Sequence, residues 1–206
     1  MIHGFHLIWG TYGFWLPNDP RGSLSDCVHA WELVKFGHAT KSVNRVDIPP
    51  TEYANWRREA RNALHYPPVT LTGRQALAAA IGFGRFVRKS GLVVWACSIL
   101  PEHVHFVVAR HNYPIEQVAN LLKGAATRQL LEENLHPMQH LRKTHTDRLP
   151  SLWAENQWAT YLDDEEAIEN AIRYVEKNPI REGKPPQKWS FVQGFGGIDD
   201  AWTTYH

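Results

Sequence analysis

The chain has 206 residues, 43% of them apolar and 21% charged, and its 22 Lys and Arg against 21 Asp and Glu leave a formal charge of +1. That length suits one domain, or one domain with a sizeable insertion, and the apolar fraction is enough for a packed core. The near-neutral balance excludes a polybasic chain drawn as a whole to a polyanion, so any nucleic-acid surface has to be a local patch.

Cys27 and Cys97 stand far apart with no CxxC or zinc spacing, and read as buried or incidental thiols of a reducing compartment. No Lys/Arg-led hydrophobic leader opens the sequence and no run of 18 apolar residues occurs, so a soluble cytoplasmic protein with no membrane partner is the expectation. Nine Trp are many for this length; core packing explains any one of them, and stacking on bases is the alternative.

Ile2–Tyr12 is rich in strand formers and predicts a strand ending near Gly13. Trp15–Gly22 is a cluster of turn formers and predicts a rigid loop. Residues 23–70 show no clean period beyond a helical fragment near Glu52–Leu64, and read as an insertion between the first strand and the first main helix. Its Arg45, Arg57, Arg58 and Arg61 form either a basic patch or a solvated helix face. Leu71–Lys89 predicts a helix with Leu77, Ala80, Ile81, Gly84 and Val87 or Arg88 along one side at three- and four-residue spacing.

Leu92–Leu100 and Val104–Ala109 predict two strands joined by a tight hairpin at Pro101-Glu-His103. Pro114–Glu133 predicts a second long helix, with Ile115, Val118, Leu121, Leu122, Ala125 and Leu130 on its apolar side. A polar loop at Pro137–Pro150 and a short strand within Leu152–Leu162 precede a last helix from Asp163 or Asp164 to about Asn178. Asp163 and Glu166 have capping-box spacing at its start, and Pro179 marks its end. The order strand, insertion, helix, strand, strand, helix, strand, helix predicts an α+β domain with a mostly antiparallel sheet and packed helices.

His103-Val-His105 begins a strand, where residues two apart point the same way, so both imidazoles project from one face and Val104 from the other. Two neutral imidazoles on one face can hold a divalent ion, and two ordinary packed histidines fit the same spacing. On the last helix Tyr174 and Asn178 lie one turn apart, at the edge of the stripe formed by Ile168, Ala171, Ile172 and Val175, about 80–120° from its centre. An Asn carbonyl oxygen is a competent hard ligand for Mg²⁺ or Mn²⁺. A tyrosine at a helix–sheet boundary and an Asn at a helix end have plainer explanations too.

Leu100-Pro-Glu-His-Val-His-Phe-Val-Val108 resembles the His-hydrophobic-His strand of the IS200/IS605-like single-tyrosine transposases, especially the REP-associated branch. Ala171-Ile-Arg-Tyr-Val-Glu-Lys-Asn-Pro-Ile-Arg181 resembles that family's tyrosine helix, and Leu152-Trp153 to Gln157-Trp158 falls at its Trp-containing strand entry. The resemblance covers about residues 1–14 and 72–183. It leaves out residues 23–70, and the Trp15–Gly22 loop marks a subgroup.

The resemblance implies a ferredoxin-like or RNA-recognition-like antiparallel sheet with packed helices, plus an insertion after the first strand. It makes residues 1–183 a transposase-like catalytic domain and 184–206 a C-terminal tail. His103, His105 and Asn178 match the ligands of a Mg²⁺ or Mn²⁺ ion, and Tyr174 matches the nucleophile. Asn178, where insertion-sequence members carry Gln, points to the REP-associated branch. The implied substrate is single-stranded or hairpin DNA, cut through a 5′-phosphotyrosine, by a monomer or a homodimer. Arg142, Lys143, Arg148, Arg173, Lys177 and Arg181 are candidate backbone contacts, and Trp153 and Trp158 candidate base-stacking surfaces. A histidine-triad hydrolase is disfavoured because Val107 stands where its third histidine belongs, and a hairpin-binding regulator would leave Tyr174 idle.

Overall fold

A computed structural model describes residues 1–17, 31–36, 50–142, 144 and 148–198. Cys27, Arg45, Lys143 and the end of the Trp15–Gly22 loop lie outside the described residues. The elements in chain order are β1 (Gly4–Gly10), a 3-10 turn (Trp31–Phe36), α1 (Pro50–Asn62), α2 (Gly73–Ser90), β2 (Val94–Ile99) and β3 (His103–Ala109). They are followed by α3 (Ile115–Glu132), a 3-10 turn (Gln139–Leu141), β4 (Trp158–Leu162) and α4 (Glu165–Arg181). The strands form one sheet in the order β2-β3-β1-β4, and every neighbouring pair is antiparallel. This is the ferredoxin-like arrangement expected, with α2 and α3 as its two crossover helices. The first strand ends at Gly10, earlier than its composition suggests, and Thr11 continues it only as an isolated antiparallel bridge to Trp153; its backbone N–H and side-chain hydroxyl both donate to the Glu102 carbonyl, and the hydroxyl also reaches that of Val69.

Strand alternation divides the core between two faces. Leu7 and Trp9 of β1 and Val104, Phe106 and Val108 of β3 pack with Phe83 of α2 and Leu122 and Ala126 of α3. Trp9 lies parallel to Phe106 at 5.5 Å between ring centres, with Phe83 and Trp153 edge-on to it. The opposite face carries Ala96, Val107 and Leu162 and is covered by Ile168, Ala171 and Val175 of α4.

Ala80, Gly84 and Val87 of α2 are buried as their spacing predicts, but the rest of its apolar side differs. Leu77 is 55% and Ile81 40% exposed, whereas Ala79, Gly82 and Phe83 are buried. The reason is close helix packing: a Cβ on Gly82 would stand 2.6 Å from the Ala125 carbonyl oxygen and 2.8 Å from the Ala126 Cα. Small residues therefore face α3, and Phe83 fills the space toward the sheet. The Leu-containing edge turns outward. Thr72 caps this helix with the Gln75 amide in a full capping box.

Of the two starts expected for α4 the structure selects Asp164, while the expected capping box and the expected end are corrected. The N-cap is Asp164, whose carboxylate accepts from the Ala167 N–H at 2.7 Å, so Asp163 and Glu166 form no capping box. Pro179 lies inside the helix, which continues to Arg181. A proline removes only its own N–H, and that loss is least disruptive in a final turn; here the Pro179 carbonyl still accepts from Glu182 and Lys184.

The described part of the insertion packs beside the sheet rather than into it. Leu16, Leu33 and Ala60 form a separate small core with Phe36 and Trp56. Arg61 of α1 reaches Glu102 in the β2–β3 turn at 3.6 Å. The segment after α4 wraps the β2 edge: the Gln187 amide bonds both backbone groups of Ile99, and the Gln193 N–H donates to the Val94 carbonyl. Phe191 then enters the α2–α3 core while Phe195 packs on Trp95 at the other face. This closes an edge that would otherwise offer unpaired strand groups.

Replacing Gly82 with Val is expected to lower unfolding free energy by about 1–3 kcal/mol through overpacking, while Leu77→Gln changes it by less than about 0.5 kcal/mol. Urea denaturation of the two variants checks this, and the reverse order would restore the helix face read from spacing.

Candidate active site

On the α4 side of the sheet, β1 and β3 present a row of histidines. His103, His105 and Val107 share that face by alternation, and His6 pairs across the ladder with Val107, which makes it the diagonal neighbour of His105. The His6 Nε2 and His105 Nδ1 stand 3.0 Å apart, with the rings stacked at 5.3 Å between centres. The His103 and His105 rings are 5.0 Å apart. His105 is only 3% exposed. Burial, and then the neighbouring His103 and His6, hold its pKa well below the usual histidine value, and burial pushes His6 down to about 4. Near neutral pH both imidazoles are therefore uncharged and keep a lone pair.

Helix α4 brings its edge residues over this row. The Tyr174 ring lies 5.7 Å from both His6 and His105. One turn on, the buried Asn178 places its amide 3.5 Å from the His103 Nε2. Amide oxygen and nitrogen interchange by a flip, so that group can present its carbonyl to the same point. Val175, on the neighbouring face of the helix, is fully buried and sets the rotation that leaves Tyr174 42% exposed. The Arg181 guanidinium sits 5.1 Å from the centre of the Tyr174 ring, and Glu182 approaches the His103 Nε2 at 3.6 Å.

The chain after β1 closes one end of the row. Phe14 stacks on His103 at 5.0 Å with the planes 14° apart. Gly10, paired with His103 in the ladder, makes room for it, since a Cβ there would meet the Phe14 and Trp15 side chains at 3.1–3.3 Å.

The structure thus brings His103, His105, Tyr174 and Asn178 together, with Arg181 beside them. Trp153 is not available for stacking: it is buried in the core and its indole N–H donates to the Lys123 carbonyl. Its position beside Trp9 and Phe83, unseen from sequence, decides this. Trp158 is half-exposed and pairs with Ile8 on the same side as His6. Arg173 binds Glu169 and Asn170 along its own helix. Lys177 and Arg148 are exposed and Arg142 is half-buried.

Sequence reasoning missed His6, Glu182 and Lys123. His6 is a lone histidine whose partner lies 99 residues away, and only the β1–β3 register reveals it. Lys123 is buried under the loop that enters β4, donating to the carbonyls of Ala154, Glu155 and Asn156 and to the Gln157 side chain. It holds the loop that sets Trp158 beside the site. Among the described residues, no three His, Cys, Asp or Glu side chains cluster as a metal site.

The family model described as "Transposase IS200 like" matches residues 73–178, a span that holds β3 with both its histidines and α4 with Tyr174 and Asn178. The chain belongs to the IS200-like transposases. Membership gives it a general role in processing single-stranded DNA. Similar solved structures include a REP-associated tyrosine transposase bound to a REP hairpin, at 13% identity over 92% of this chain and 74% of that one, TM-score 0.43. A transposase assignment from Deinococcus radiodurans R1 is 15% identical over 86% of this chain and 91% of that one, also at TM-score 0.43. No curated protein matches the chain. Among the described residues of this IS200-like transposase, no helix is long and apolar enough to cross a membrane.

Burial lowers the Lys123 pKa from 10.5 to about 8. Between those values the unfolded chain binds more protons than the folded one, so this group's contribution to stability rises with pH from about 8 to 10.5, its desolvation cost being fully present below 8. The wild-type minus Lys123→Met difference in unfolding free energy is expected to grow more favourable to wild type across that window. A difference that stays flat from pH 7.5 to 10.5 would contradict a buried ammonium.

Proposed function

We propose that this transposase is a divalent-metal-dependent single-stranded DNA endonuclease and strand transferase that works through a covalent Tyr174 intermediate. The observation that carries the reading is the convergence of two imidazoles, one amide and one accessible phenol at a single sheet–helix junction. The donor set suits a Mg²⁺ or Mn²⁺ ion: His103 and His105 offer imidazole nitrogens, and Asn178 offers a hard oxygen. A cation held there supplies charge neutralisation at a non-bridging oxygen of the scissile phosphate.

The protein's own groups do the rest. Among the described residues Tyr174 is the one phenol that stands over the histidine row, and its exposure lets a phosphodiester approach in line. Its Oη forms a bond to phosphorus as the bond to the 3′ oxygen breaks; the phenolic proton passes to solvent and the leaving oxygen departs as a 3′-OH. The 5′-phosphate stays on Tyr174. Because the phosphodiester energy is retained in that link, another 3′-OH can attack it, rejoin a strand and free the phenol. Arg181, beside the ring, is placed to bind a phosphate oxygen, and the half-exposed Trp158 offers a face for an unpaired base. Asn178 in the third-ligand place and the Tyr-hydrophobic-Glu-x-Asn-Pro pattern favour hairpins with flanking single strand as the DNA.

With labelled hairpin DNA from the gene's flanks and Mg²⁺, a labelled protein band is expected on a denaturing gel. Tyr174→Phe is expected to abolish it and EDTA to suppress it, whereas Asn178→Ala slows its formation by at least about 10-fold, no less than the loss of an outer-shell partner costs. Hairpin binding with no covalent band under any of these conditions would replace this reading with that of a DNA-binding regulator.

A further inference from the structure

We infer that His6 is a positioning residue that fixes the tautomer of His105. The inference rests on the metal-site reading of the same junction and assigns a role to a side chain outside the ligand set. The geometry has two parts. The His6 Nε2 meets the His105 Nδ1 at 3.0 Å, so one shared proton lies between two ring nitrogens. Asn178 approaches the next histidine along the row through its Nε2, which is the nitrogen the neighbouring ring has left for the site as well.

Two neutral imidazoles can share that hydrogen bond in two directions. If His6 donates, its proton sits on Nε2, and the His105 proton is forced onto its own Nε2, which then has no lone pair for a ligand. If His105 donates, its proton sits on Nδ1 and its Nε2 is open. Only the second direction suits a site on the α4 side. It also sets His6 as the Nδ1-protonated form, so both rings carry their proton on Nδ1. Free neutral imidazole side chains prefer the other tautomer, and a buried ring therefore needs an acceptor to hold this one. His6 is that acceptor: an imidazole in the place where metal-binding histidines commonly find a carboxylate or a backbone carbonyl. The diagonal β1–β3 register keeps it there, and the 5.3 Å stacking fixes both ring planes.

The test begins with the metal-free wild type. Long-range ¹⁵N–¹H spectra are expected to show His105 and His6 protonated on Nδ1. Mn²⁺ titration by calorimetry is then expected to show about 10- to 100-fold weaker binding for His6→Phe, the usual loss when such a partner is removed. His6→Gln, whose carbonyl can accept the same proton, is expected to recover most of that loss. His105 protonated on Nε2 in the wild type would overturn the inference without any variant, as would a folded His6→Phe that binds Mn²⁺ like wild type. His103→Ala separates the two levels: it is expected to lose Mn²⁺ binding, and unchanged binding there would overturn the metal site itself.

Discussion

Everything at the candidate site depends on α4 lying across the second face of the sheet. The two crossover helices α2 and α3 bury one face, and a ferredoxin-like sheet would otherwise leave the histidine face open to water. Ile168, Ala171 and Val175 close part of it against Ala96, Val107 and Leu162. Burying Ile168 and Val175 alone contributes roughly 1.5–3 kcal/mol each, together more than the cost of desolvating a polar group such as the Asn178 amide, roughly 1–3 kcal/mol. The apolar stripe therefore sets the helix rotation, and the polar residues follow. With Val175 turned fully inward, Tyr174 and Asn178 come to rest at the edge, over His6, His105 and His103.

That packing also decides the electrostatics. A histidine under a helix edge loses its charged form, and the neighbouring imidazoles push in the same direction. What results is a small cluster of imidazole nitrogens, those of His105 and His6 uncharged, with an exposed phenol on one side and guanidinium and carboxylate groups at its rim. The chain's overall charge of +1 is no obstacle. Arg181 brings a cation to the phenol, whereas Arg173, one residue before the phenol, is directed along the helix to Glu169 and Asn170.

How much of this is readable without coordinates follows from the range of each interaction. The His103/His105 pair is legible because strand alternation is strict over two residues, and Tyr174/Asn178 because helical spacing is strict over four. Element order and the antiparallel sheet follow from the same periodicities. The misreadings have long-range causes. Leu77 and Ile81 satisfy the spacing of a buried stripe, but the close approach of α3 at Gly82 rotates them outward. For Trp153 the core reading holds over the base-stacking alternative, since it belongs to the Trp9–Phe83 cluster. His6 carries no local signal at all, since its partner is set by strand register. Asp163 and Asp164 are adjacent carboxylates, and which of them caps the helix is decided by where the chain leaves β4. Pro179 shows that a local breaker rule yields when the proline falls in a last turn whose carbonyls are otherwise satisfied.

The most direct measurement is manganese-edge anomalous diffraction from crystals soaked in Mn²⁺. The account predicts one strong peak bound by nitrogens of His103 and His105 and by the side-chain oxygen of Asn178, within reach of the Tyr174 hydroxyl. A peak placed elsewhere, for example against Glu169 and Glu176 on the outer side of α4, with none between the two imidazoles, would contradict it.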